Sequence, residues 1–145
     1  MKKEIYISCA SDVVPYLRKY QKARNEHFFL IGVNGQHYLK FIKTVAIGTV
    51  NSCFVYPREI FYHLIKKDCA AFIIGHNHPS GNLSPSDSDI ETAKEIFFKA
   101  KFMGIPMLDS IIVSKNGYLS FMEHDLMKDF EDKEKSQNKS LKIAD

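Results

Sequence analysis

A chain of 145 residues, 45% hydrophobic and 12% aromatic, has ample material for one buried core and too little length for several domains. Its 20 basic and 17 acidic residues leave a net charge of +3, well short of the basic stripe of a dedicated nucleic-acid-binding module. Its three cysteines, Cys9, Cys53 and Cys69, lie far apart with no Cys-x-x-Cys, which argues against a disulfide framework and a thiolate metal site; buried thiols in a reducing cytoplasm are expected for all three.

The first predicted element is a helix from Ser11 to about Asn25, capped by Ser11, with Pro15 in its first turn and Val14, Leu17 and Tyr20 on one face. Two apolar runs follow, Glu26 to Val33 and Gln36 to about Ala46; Asn34-Gly35 between them predicts a β-hairpin. Gly48 and Asn51 break the chain before a short extended piece, Cys53 to Tyr56. Pro57 suits the first turn of a helix in which Ile60, Phe61, Leu64 and Ile65 recur at helical spacing up to Lys66-Lys67. Ala70 to Gly75 is a short continuous apolar run, as expected of a strand buried on both faces, and a polar loop from His76 to Pro85 leaves it.

Ser86 to Phe102 reads as another helix, stopped by Gly104 and Pro106. Met107 to Ser114 and Tyr118 to Phe121 make a second hairpin around Asn116-Gly117. The order implies an α/β chain, a mixed sheet flanked by helices. A domain over residues 1–122 is expected, followed by a charged tail over 123–145 whose last roughly 15 residues form a frayed helix or a mobile end. With no signal core after Met1-Lys2-Lys3-Glu4 and no apolar run near the roughly 20 residues of a membrane span, a soluble cytoplasmic protein without membrane contact is expected.

The chemistry concentrates in Gly75-His76-Asn77-His78-Pro79-Ser80-Gly81 and Ser86-Asp87-Ser88-Asp89. In extended backbone, side chains two apart share a side, so His76 and His78 can turn both imidazoles toward one ion while Asn77 points away. Ser86 and Asp89 open the next helix, close enough to fold the Asp89 carboxylate back as a third ligand. Two nitrogens and one carboxylate leave the fourth tetrahedral position for water, the arrangement that separates catalytic zinc from closed structural sites. Zinc lowers the pKa of such water toward about 7. Hydrolysis also needs a proton acceptor and an oxyanion donor, and Ser86 is placed for the second task. Ser86 and Asp89 equally suit a helix-capping pair, and the two roles are compatible. The other histidines, His27, His37, His63 and His124, lack such spacing; surface or packing roles are expected for them.

His-x-His-Pro followed by Ser-x-x-Asp resembles the JAMM motif of the MPN/JAB metallopeptidases, and the wider wording resembles the JAB domain of bacterial RadC proteins. The matching text is Pro57-Arg58-Glu59-Ile60-Phe61, the His76 to Gly81 segment, Pro85-Ser86, Asp89, Thr92 and Gly104-Ile105-Pro106-Met107-Leu108-Asp109. It extends from near Ile5 to about Phe121. The resemblance implies a cytidine-deaminase-like α/β fold holding a single zinc on His76, His78 and Asp89, with Ser86 supporting the oxyanion. The family's glutamate base sits at the start of the first strand, which points to Glu26; Glu59, where a helix dipole favours an acid anyway, is the alternative base. Full-length RadC proteins carry a helix-hairpin-helix region that has no counterpart in this chain. Where many relatives read Asp-His, this chain reads Asp109-Ser110.

The expected function is therefore zinc-dependent hydrolysis of peptide or isopeptide bonds, with Glu26 activating water. The alternative is a DNA-associated module, in repair or mobile-element biology, with a structural zinc and no hydrolase activity. A nuclease of the HNH type is disfavoured, because that motif spreads its residues over a longer segment. Homo-oligomerisation is left open.

Overall fold

A computed structural model describes residues 3–48 and 54–131, in which the apolar runs become five strands of one mixed sheet ordered β2-β1-β3-β4-β5. The strands are β1 (His27–Val33), β2 (Leu39–Ile47), β3 (Ala71–Asn77), β4 (Met107–Ser114) and β5 (Gly117–Ser120). β3 and β4 run parallel and the other three pairings are antiparallel. A parallel pair needs a crossover, and helix α4 (Asp87–Met103) provides it. Its end is set as expected: Gly104 adopts φ 71°, a left-handed cap that glycine takes without penalty.

Helices cover both sides of the sheet. On one face, α3 (Pro57–Lys66) and α4 bury Ile60, Leu64, Ala93 and Ile96 against Phe28, Leu30, Phe72, Ile74 and Ile112. On the other, the amino-terminal segment packs Val13, Leu17 and Tyr20 against Phe29, Ile31, Val33, Ile73, Ile111 and Val113. β1 and β3 are thus apolar on both faces, which explains their unbroken hydrophobic runs. No helix among the described residues is long and apolar enough to cross a membrane.

Several local expectations are corrected. The single amino-terminal helix is three short pieces: α1 (Ala10–Val13), a 3₁₀ turn (Val14–Tyr16) and α2 (Arg18–Gln21). Pro15 lacks the N–H that would continue the α-helical ladder there. The start lies at Cys9, before Ser11, because the Asp12 carboxylate accepts from Ser8 N–H at 2.8 Å and Cys9 N–H at 3.1 Å. Val13 faces the core in place of Val14, and Cys9 is exposed on this cap; Cys69 is buried as expected, and Cys53 lies outside the described residues. The β1–β2 hairpin expected around Asn34-Gly35 does form, through a loop over residues 34–38 in which the Asn34 side chain accepts from Gln36 N–H and Tyr38 N–H, both at 3.0 Å.

Residues 54–56 form no strand. Ile65, counted with Ile60, Phe61 and Leu64 at helical spacing, is exposed. At the far end, packing continues past the boundary expected at 122: Met127 and Phe130 are buried, with the Phe130 ring 5.7 Å from that of Phe97. The rest of the expected tail, from residue 132, lies outside the described residues.

Candidate metal centre

β3 carries His76 near its end, and the strand runs two residues beyond the expected Gly75. His78 follows it, with its backbone N–H donating to the Val113 carbonyl at 2.9 Å, so the extended geometry continues. Alternation turns both imidazoles to the α4 side and Asn77 to the other, as the spacing requires.

Each imidazole is backed by a neighbour. The Phe28 ring, opposite His76 in the β1–β3 pairing, lies nearly parallel to it at 7°, with centroids 6.2 Å apart. His78 Nδ1 is 2.7 Å from the Asn82 carbonyl, an acceptor that holds the ring proton on Nδ1 and leaves Nε2 for the site. Sequence spacing carries no signal for either support, because any residue supplies a carbonyl and an aromatic in a core run is usually just core.

Ser86 caps α4, its Oγ accepting from Asp89 N–H at 3.0 Å, while Asp89 Oδ2 accepts from Ser86 N–H at 2.9 Å. This reciprocal box aims the carboxylate back at the strand end. His76 Nε2 and His78 Nε2 stand 3.0 Å apart, Asp89 Oδ1 lies 3.2 Å from the first, and Asp89 Oδ2 lies 3.1 Å from the second. Ligand atoms at about 2.1 Å from a tetrahedral zinc would be roughly 3.4 Å apart, close to these separations. Glu26, immediately before β1 and buried, completes the group: one ligand atom from each of Glu26, His76, His78 and Asp89 lies within 4.8 Å of the others.

The donor set suits a divalent cation. Two Nε2 atoms face each other and a carboxylate that only accepts, a convergence of donor atoms that one shared cation satisfies. The charge balance agrees. Burial pushes the Asp89 carboxyl up, but bonds from His76 and His78 overcome it and hold the group well below the usual carboxylate range. His78 is raised, chiefly by its bond to Asp89. Glu26 moves the opposite way from Asp89: burial raises it, and the nearby imidazoles offset this only in part.

Two hollows meet at the cluster. One, about 150 Å³, lies between sheet and α4 and is bounded by Phe28, Ile74, Thr92, Ala93 and Ser110 as well as Glu26, His76 and Asp89. The other, about 210 Å³ and more open, is walled by the Pro79, Ser80, Asn82 and Ser84 loop, with Ser86 between them. The loop is tied down where Gly81 meets the second hairpin: its carbonyl accepts from Ser114 Oγ at 3.0 Å and Asn116 Nδ2 at 2.9 Å. Glu59 is exposed on the first turn of α3 and outside the cluster. His27, His37, His63 and His124 are outside it too.

A family model described as the RadC-like JAB domain matches residues 7–126. The chain is 37% identical to the UPF0758 protein of Clostridium acetobutylicum over 118 residues, covering 81% of this chain and 50% of that relative. It is 42% identical to a UPF0758 protein of Clostridium botulinum over 113 residues, 78% of this chain and 49% of the relative. With a UPF0758 protein of Chlorobium chlorochromatii the identity is 35% over 122 residues, 83% and 55% respectively. The chain spans about half the length of these curated relatives.

Proposed function

This chain belongs to the RadC-like JAB domain family, and on that footing we propose that it is a zinc-dependent hydrolase of peptide or isopeptide bonds. What carries the proposal is the meeting of Glu26, His76, His78 and Asp89 at one point beside an open cleft. His76 Nε2, His78 Nε2 and the Asp89 carboxylate would hold one ion, a set of two nitrogens and an oxygen donor that suits zinc. Bound there, zinc supplies a Lewis acid that polarises a carbonyl and makes water more acidic.

The chain's own residues do the rest. Glu26, whose affinity for a proton is raised by burial, takes a proton from the attacking water and passes it to the leaving amine nitrogen. Ser86 Oγ already accepts from Asp89 N–H, so its O–H remains to donate to the substrate carbonyl oxygen as negative charge builds there. Both hollows border Ser86 and Glu26, so a substrate chain laid through them brings its carbonyl to these two groups. The exposed Glu59 has no such access.

The test is metal analysis of purified protein paired with a screen of peptide and isopeptide substrates, with Glu26→Gln as control. Chelator-sensitive hydrolysis that Glu26→Gln abolishes without loss of zinc supports the reading. A zinc-loaded protein inert toward every such substrate overturns it.

A further inference from the structure

We propose that Asn77 is a positioning residue for Glu26, its single side-chain amide gripping the backbone on both sides of that glutamate. The inference rests on the reading of Glu26 as the base.

The paired register of β1 and β3 ends at Phe28 and His76, one residue short of Asn77, so Asn25-Glu26-His27 lies beyond the last paired rung with β3. Asn77, 1% exposed, stands at this point on the face opposite the imidazoles. Its Oδ1 accepts from His27 N–H at 2.6 Å and its Nδ2 donates to the Asn25 carbonyl at 3.0 Å. One amide thus offers the acceptor and the donor that another strand residue would have offered, and extends the ladder by a rung. On the far side the Glu26 carbonyl accepts from Gly48 N–H at 2.8 Å. The backbone around Glu26 is held from β3 and from the end of β2, which leaves the side chain to be aimed by its own torsions.

The arrangement links base and ligands through one element. His76 and His78 face the cluster from one side of β3, and Asn77 between them holds the glutamate segment from the other. A shift of that segment would move the Glu26 carboxylate relative to the ligand atoms, and a misplacement of about 1 Å costs on the order of 10²-fold in rate. Among small replacements, Ala makes neither bond, and Asp keeps the acceptor for His27 while losing the donor to Asn25.

The experiment compares wild type, Asn77→Ala and Asn77→Asp, all zinc-loaded, by amide hydrogen exchange, zinc competition and hydrolysis. In Asn77→Ala the His27 amide is expected to exchange at least tenfold faster while the Leu30 and Ile31 amides keep their protection, and zinc affinity is expected to stay within about threefold. In Asn77→Asp the His27 protection is expected to return. Hydrolysis by Asn77→Ala should lose about 10²-fold in kcat with KM unchanged, and combining it with Glu26→Gln should add no further loss. An unchanged His27 amide in Asn77→Ala, or its failure to recover in Asn77→Asp, overturns the grip. A kcat loss that adds fully to that of Glu26→Gln overturns its action through the base. Should wild type hydrolyse nothing, the proposed activity fails while the exchange arm still decides the grip.

Discussion

Ser86 and Asp89 bond each other twice, Ser86 N–H to Asp89 Oδ2 at 2.9 Å and Asp89 N–H to Ser86 Oγ at 3.0 Å, and the same Oδ2 stands 3.1 Å from His78 Nε2. A single carboxylate thus caps a helix and completes the cluster, so the start of α4 and the site move together. Removing the cap hydroxyl with Ser86→Ala should destabilise the fold by about 1 kcal/mol in denaturant titration. It should also lower kcat by roughly 10²-fold while leaving zinc in place. Loss of zinc along with turnover would instead mean that the Ser86 hydroxyl acts by holding the Asp89 carboxylate in place for the metal.

The two candidate bases are separable by substitution. Glu26→Gln should lower turnover by 10²-fold or more, on the order of what general base catalysis contributes, with zinc content unchanged. Glu59→Gln, on an exposed turn away from the cluster, should leave both unchanged. The converse pattern in a turnover assay with parallel metal analysis would transfer the role to Glu59.

Much of this site is legible in the sequence because its logic is local. His76 and His78 obey the two-residue period of extended backbone, and Ser86 with Asp89 obeys the three-residue reach of a capping box. Glu26 is harder, since it meets the histidines only through the β1–β3 register, and its place in the sequence is visible only by family resemblance. Asn77 shows the limit: its spacing says that it points away, but not that it reaches Asn25 and His27. The fold divides the same way. Long apolar runs announce β1, β3 and β4, whereas the breakup of the first helix depends on Asp12 and Pro15 acting together, and the burial of Met127 and Phe130 depends on distant partners in α4 and the sheet.

Acidity should act on the metal-free protein in a defined window. Asp89 is held below its ordinary value of 3.8, so its contribution is present above that value and is lost as pH falls through the folded one. His78 is raised above 6.5, so its contribution is full below 6.5 and fades as pH rises through the folded value. Both act between 3.8 and 6.5. The melting-temperature gap between metal-free wild type and Asp89→Asn should therefore be wider near pH 5 than near pH 8, about midway in that window and well above it. A gap that widens toward pH 8 would contradict the pairing.

Gly75 precedes the first imidazole in a space that only hydrogen fits. A Cβ there would meet the Phe29 ring and lie 2.7 Å from the Ile111 carbonyl oxygen, a backbone atom of the parallel partner strand. Gly75→Ala should destabilise by about 1–3 kcal/mol and displace His76, lowering zinc affinity as well. Wild-type stability in denaturant titration would show that β3 and β4 are less tightly packed than described.

The central claim is that the cluster takes up a divalent ion, and calorimetric titration of metal-free protein with zinc at neutral pH tests it most directly. The account predicts one zinc per chain in wild type and loss of that tight site when His76 and His78 are both replaced by Ala. Wild type that takes up no zinc, or a double variant that binds it as tightly, would contradict the account.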